Sequence, residues 1–494
     1  NIDVTFEIAD GVLGSWPLAS SLAGDVGELL SDDGTGPVGS HGIDKRYLAT
    51  ASWDTTTGGT FYVSGIDPMP SGDLAMLGGR GSVPYNSYTL KLAPDGTLRW
   101  GKKLSNTGGS RAILALPDDG ISVATEDCTR VIRYDADGVR LWHKDYDPEG
   151  SIVAGCAMAW LPDFDGSPAI VLVNSIVINN QYFPTVGLID PDTGAIRSWR
   201  AYDSLVTSTA TGVSVTSRGT LLLAGTTHVD AHALGNADGY FTAGGGALVM
   251  EVDPGGDALW GTSVNAWRFD RAIETDNGRI LAVGDASTYT YHPRHGMLLA
   301  GFSPQGAMMW ATTYAEDVAW EQTIGGSYTG TIGDSPWDEG NTITAVPGGG
   351  AVVSGKSGLG DSVGTWLLRV DDDGEPQWFR MHDGGEADVI GPVRASADGL
   401  WIAGDTYSMA GGVRRAWLGH VPFEGGSRHD PSQGMLDRSL QVEVNDLLDT
   451  THIFSFHPGG APVTFTSREL VVTSVNRTSH PVVHTAIEVT PVGF

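Results

Sequence analysis

The chain has 494 residues, 59 Asp and Glu against 29 Lys and Arg, and a formal net charge of −30. So acidic a surface repels phosphate backbones and argues against nucleic-acid binding, and no apolar run is long enough to cross a bilayer as a helix. With 69 glycines and 25 prolines, the composition favours short strands between tight turns.

Residues 1–44 open on an alternating run, Asn1 to Asp10, that reads as a strand. A short helix is expected over SLAGDVGELL (Ser21 to Leu30), followed by a loose polar stretch. From residue 45 to 426 two motifs alternate. One is a turn followed by a small-residue apolar strand, in seven copies beginning near Ser71, Asp118, Gly166, Arg218, Asn277, Gly349 and Asp398. The other is an apolar strand, an Asp/Gly turn and a Trp, in six copies ending at Trp100, Trp142, Trp199, Trp260, Trp310 and Trp378. Together they define a unit of roughly fifty residues, the period of a propeller or solenoid array. Each unit reads as four strands, a to d, in meander. Seven such sheets around an axis make an all-β, seven-bladed β-propeller, which leaves only short edges. The seventh unit has no Trp strand. Lys45 to Trp53, with Tyr47 in the Trp place, is expected to supply its outer strand from the N-terminal side. The alternative source is the C-terminal tail.

The paired motifs, D-G-x-hydrophobic-x-x-G and D-x-x-G-x-x-x-W, resemble bacterial β-propeller repeats of the SBBP type. They are also similar to the repeats of quinoprotein (PQQ-like) propellers, most visibly at Asp190 to Trp199. The resemblance implies a secreted or surface-displayed protein and implies no reaction, since fold does not fix function. The quinoproteins' adjacent cysteine pair is absent, and their cofactor and calcium ligands find no counterparts here.

Two motifs in the repeats imitate catalytic signatures. Gly350 to Ser357 (GAVVSGKS) spells a phosphate loop, but it aligns with a b strand and no helix follows. Gly360 to Gly364 (GDSVG) spells a nucleophile elbow, which works only at a strand-to-helix turn. Here it falls in a b–c hairpin. Cys128 and Cys156 lie in adjacent blades; buried free thiols are the expectation and an interblade disulfide the alternative.

The long connections all fall at b–c or d–a positions, hence on one face, where a rigid scaffold displays function. Trp267, Tyr289, Tyr291, Trp320, Tyr328, Trp337 and Tyr407 lie there as candidate anchors for sugars or a protein. His228, Asp230 and His232 alternate, with His292 and His295 in the equivalent loop of the next blade. They form a candidate metal site, and no other cofactor is expected. Calcium at the c–d turns near Asp135, Asp190 and Asp371 is set aside, because turn chemistry explains the repetition. Asn476-Arg477-Thr478 fits a glycosylation acceptor.

Residues 427–494 hold four or five further strand patterns. With the first strand they are expected to form a small accessory β module from the chain ends. The chain begins at Asn1, which is compatible with export of a processed form. The expected function is a non-catalytic extracellular or cell-surface propeller that binds a protein or glycan, or a structural subunit of a larger assembly. The alternative is a propeller enzyme, quinone-dependent or polysaccharide-cleaving, with its site on the long-loop face.

Overall fold

The computed structural model describes residues 2–8, 11–18 and 44–47, most of 61–423, and short strands at 445–446, 461–462, 465–469, 472–475 and 484–487. Within 61–423 the larger gaps are 81–85, 106–109, 229–245, 286–296, 315–338, 383–387 and 407–414. No helix occurs among the described residues. Seven antiparallel sheets each order four strands from a to d, forming a seven-bladed propeller. The innermost strands are Phe61–Pro68, Ser110–Ala115, Ser151–Phe164, Thr207–Val215, Arg268–Glu274, Glu339–Ala345 and Asp388–Ala395. Each touches the next, and the last touches the first, so the ring closes.

Burial explains why the middle strands read as continuous apolar runs. In blade 5 every residue of Ile280–Asp285 and Met297–Phe302 is buried, because both faces of a blade are covered by its neighbours. The outer strand Ala258–Val264 of blade 4 instead mixes buried positions with partly or fully exposed ones. The core accordingly divides by junction, not by blade. Leu223 and Met250 of blade 4 pack with Val171 and Leu188 of blade 3. Val63 and Leu74 of blade 1 pack with Trp401 and Leu418 of blade 7, so the closing junction has the same apolar seam as the others.

The Trp cassette is a latch between blades. The c–d turn glycines Gly138, Gly194, Gly306 and Gly374 have φ between +69° and +85°, a region that favours glycine because it has no Cβ. The turns also press on the preceding blade's Trp. A Cβ on Gly138 would lie 2.7 Å from Trp100, one on Gly194 2.9 Å from Trp142, and one on Gly374 2.8 Å from Trp310. The indole N–H groups donate to that next blade: Trp100 to the Ala136 carbonyl at 3.0 Å and Trp142 to that of Pro191 at 2.9 Å. Trp310 and Trp378 do likewise to Asp372 and Phe423.

Blade 3 departs from this pattern for a reason visible in its turn. Ile189 pairs with Ile196, one residue farther along than Leu92 with Leu98 in blade 1. A one-residue slip moves a side chain to the other face of a sheet. Trp199 therefore turns back to Tyr146 of blade 2, with ring centroids 5.7 Å apart. Arg200 takes the contact with the Gly256 turn of blade 4.

The outer strand of blade 7 is Asp44–Tyr47, paired with Arg415–Val421. Its register differs from the alignment that put Tyr47 in the Trp place. Tyr47 pairs with Trp417, while Asp44 pairs with His420, the position that Trp378 occupies opposite Arg369 in blade 6. The chain ends also pair differently from a shared module. Among the described residues, Ile2–Ile8 and Gly11–Leu18 pair only with each other. The described C-terminal strands each add a fifth strand to a different blade. Asn445–Asp446 pairs on blade 5, Ala461–Pro462 on blade 4, Phe465–Glu469 on blade 3, Val472–Val475 on blade 2 and His484–Ile487 on blade 1. The C-terminal segment thus runs backwards around the rim, satisfying the free ladder groups that an outer edge exposes.

The two cysteines are not free thiols. Cys128 and Cys156 form a disulfide with Cα atoms 5.4 Å apart, inside the range a bridge requires. The entry of the blade 3 inner strand lies beside the b–c turn of blade 2, which brings them together.

Candidate functional site

The strand ends define two unlike ends of the disc. At one, the a–b and c–d turns are uniformly tight. Asp135 Oδ1 accepts the Asp137 and Val139 amides at 3.0 and 2.8 Å, and Asp371 Oδ1 accepts those of Asp373 and Glu375 at 3.0 and 2.9 Å. Turn amides thus occupy these carboxylates. At the other end the long connections between residues 61 and 423 depart: 229–245 after His228, 286–296 after Asp285, 315–338 after Tyr314 and 407–414 after Thr406.

The stems of that second end are well tied. Thr227 Oγ1 accepts the Gly246 amide at 3.0 Å across the base of the 229–245 connection. Arg268 pairs with Asp270 at 3.0 Å. The Cys128–Cys156 bridge fastens blades 2 and 3 at the same end. His228 closes the strand Leu221–His228 opposite Thr207, and its side chain lies outside the described set. Asp230, His232, His292, His295 and all seven aromatic candidates, Trp267, Tyr289, Tyr291, Trp320, Tyr328, Trp337 and Tyr407, fall outside the described residues, as does Asn476. Gly350 to Ser357 belongs to the turn and strand of Ala351–Leu359, and Ser362 opens the strand paired to it. Neither imitation motif meets a helix.

Two polar sites were not legible as sites in the sequence. A cavity of about 660 Å³ at the short-turn end lies between blades 3 and 4, with Asp163, Asp165, Arg197, Arg200 and Asp253 on its walls. Arg197 is already engaged there. It donates to Asp190 and, at 2.9 Å, to Ser167 Oγ. Burial opposes ionisation of Asp190, but the Arg197 and Thr193 hydrogen bonds outweigh it and hold the carboxyl at about 2.

The second site is axial. Asp67, Arg271 and Arg394 stand on the inner strands of blades 1, 5 and 7. Asp67 Oδ2 accepts the Ala115 amide of blade 2 at 2.8 Å, and Oδ1 lies 3.9 Å from Arg394 Nε. Arg394 Nη1 donates to Thr342 Oγ1 of blade 6 at 3.1 Å and to the Val393 carbonyl at 2.9 Å. Burial raises the Asp67 carboxyl above its ordinary range, opposed by Arg394 and by the Ala115 hydrogen bond. Burial lowers Arg271 to about 9; Arg394 repels it further and Asp67 partly offsets this. The sequence signal was available. Charges interrupt inner strands that elsewhere offer Ala112, Ala157 or Gly212 at the position of Arg271.

Three buried tyrosines are also strongly shifted. Burial raises Tyr134, Tyr146 and Tyr202 far above the ordinary phenol range. Tyr146 donates to the Gly194 carbonyl at 3.0 Å, a further tie between blades 2 and 3.

No protein-family model matches the chain, and no curated protein matches it. Solved structures similar to it include a streptogramin B lyase, at 11% identity, covering 76% of this chain and 97% of that one with a TM-score of 0.39. Another is the PQQ-bound form of aldose sugar dehydrogenase from Streptomyces coelicolor, at 13% identity, 76% and 98% coverage and a TM-score of 0.35. Drosophila semaphorin 2a is similar at 8% identity, with 77% and 75% coverage and a TM-score of 0.44. At such values the assignment of a seven-bladed propeller rests on the sheet order and ring closure of the chain itself.

Proposed function

We propose that this protein is a non-catalytic, secreted or surface-exposed propeller that binds a protein or glycan partner, or joins an extracellular assembly, through its long-connection end. The observation that carries the reading is the asymmetry of the disc. Between residues 61 and 423 one end carries only short hydrogen-bonded turns, while the connections 229–245, 286–296, 315–338 and 407–414 all leave from the other. Extended loops on a latched scaffold are a binding surface held in place by its stems. The aromatic side chains in or beside those connections supply large contact areas at low entropic cost. The net charge of −30 keeps such a display soluble and favours neutral or basic partners. The SBBP-type repeat resemblance agrees with this reading and carries no reaction with it.

The test is a glycan array and a surface-protein binding screen run on the wild type and on Trp320→Ala/Trp337→Ala. The double variant is expected to lose the captured partner while keeping its unfolding midpoint. Unchanged binding refutes the assignment of the face. A metal or quinone retained by the purified protein, with an activity abolished by His228→Ala, would establish the enzyme reading instead.

A further inference from the structure

The junction between blades 3 and 4 lacks its indole. Elsewhere the Trp stands opposite the last residue but one of the c strand: Trp100 opposite Lys91, Trp142 opposite Arg133, Trp260 opposite Glu251 and Trp310 opposite Gly301. In blade 3 that place, opposite Leu188, belongs to Ser198, because the extra turn residue has moved Trp199 to the other face. A side chain so much smaller leaves space that the surroundings close only in part. The cavity of about 660 Å³ lies at this junction, walled by Ser198 and Arg200 of blade 3 and by Asp253 and Pro254 of the blade 4 turn. Its size falls within the roughly 300–1,000 Å³ of small-molecule pockets.

The same slip leaves donors and acceptors without partners. The carbonyls of Ala136, Pro191 and Asp372 each accept an indole N–H from the preceding blade. Pro254, the equivalent turn residue of blade 4, has no hydrogen bond among the described residues. Arg200 packs against Gly256 with its Nε buried and unpartnered, and it makes no ion pair among the described residues. Asp253 commits Oδ1 to the Gly256 and Asp257 amides at 2.7 and 2.9 Å, which leaves Oδ2. Arg197 is neutralised by Asp190, so the carboxylates of the wall outnumber its one free guanidinium and disfavour an anion. Hydroxyl groups suit such a wall, since each both donates and accepts, and bonds to charged partners are the stronger ones. We infer that the cavity is a saccharide pocket sized for a pyranose unit. Neighbouring hydroxyls accept from Arg200 and donate to Asp253 and the Pro254 carbonyl, while Phe164 adds an apolar stretch of wall. The pocket lies at the end of the disc opposite the long connections, and is independent of the reading proposed for them.

The experiment titrates the whole chain with the methyl glycosides of glucose, galactose, mannose and N-acetylglucosamine, read by saturation-transfer NMR. At least one is expected to bind the wild type. Ser198→Trp returns the repeat's own indole to the junction and should abolish that binding while keeping the unfolding midpoint. Arg200→Met keeps a stem against Gly256 and removes the donors, and should weaken binding about tenfold or more. It decides the matter if Ser198→Trp fails to fold. Trp320→Ala/Trp337→Ala, at the opposite end, should bind these sugars as the wild type does, which separates the pocket from the long-connection face. No binding of any of the four by the wild type, unchanged affinity in Ser198→Trp or Arg200→Met, or loss of binding in Trp320→Ala/Trp337→Ala alone overturns the proposal.

Discussion

Replacing Gly306 by Ala tests the blade-to-blade latch at its tightest point. Gly306 has φ +80°, and an added Cβ would sit closer than 3.0 Å to the Trp260 ring of the preceding blade. Two costs add. Placing Ala in the left-handed region costs roughly 1–2 kcal/mol, and forcing the indole aside costs roughly 1–3 kcal/mol. Gly219 separates them, since its φ is +78° and nothing lies within 4 Å of its added Cβ. Gly219→Ala should cost the conformational term alone, roughly 1–2 kcal/mol, and Gly306→Ala roughly 2–5 kcal/mol. In a Trp260→Ala background the clash is gone, so the cycle should show a coupling of roughly 1–3 kcal/mol. Urea unfolding, read as the midpoint at constant m, gives these differences. Equal losses at Gly219 and Gly306, with a coupling below about 0.5 kcal/mol, would refute the latch.

The disulfide closes a loop across a separation of 28 residues, so Cys128→Ser/Cys156→Ser should lose roughly 3–4 kcal/mol by the chain-entropy account. A loss under about 1 kcal/mol in the same urea assay would contradict it. Asp190 has a folded pKa of about 2, depressed from an unfolded value of about 3.9. Its stabilisation is therefore full above the unfolded pKa and is lost as pH falls through the folded one. Asp190→Asn should be less stable than wild type at neutral pH and match it near that folded pKa; a gap independent of pH would refute the Arg197 pairing. Removing residues 424–494 uncovers the outer edges of Leu98–Ser105, Arg140–Pro148, Ile196–Ser204, Ala258–Val264 and Met308–Tyr314. Sedimentation should then show self-association through those edges, and an unchanged profile would argue against the rim strands.

The repeat was legible because each feature has a local cause. Asp and Gly at the c–d turn are demanded by the hydrogen bonds and positive φ seen at Asp135 and Gly138. The small-residue b strands are demanded by burial on both faces. The reversed Trp199 was also encoded, as one extra residue between Ile189 and Ile196, but only a register shows what that residue does. The C-terminal strands were recognisable as strands while their partners were not. An added edge strand is chosen by backbone ladder groups, which look alike on every blade. The disulfide and the axial arginines depend on which blades become neighbours and how their inner strands align, and neither is a property of local sequence. The candidate aromatic and histidine face was read from loop lengths alone, so its stems are fixed by the fold and its chemistry rests on the binding experiment.

Hydrogen exchange at the seam where the ring closes tests the central claim most directly. If Asp44–Tyr47 and Arg415–Val421 pair as outer and third strands of blade 7, their ladder amides should be protected together, to the same degree as those of Ala258–Val264 in blade 4. Free-chain exchange at Asp44–Tyr47 and an open edge at Arg415–Val421 would mean that the disc does not close through its N-terminal strand.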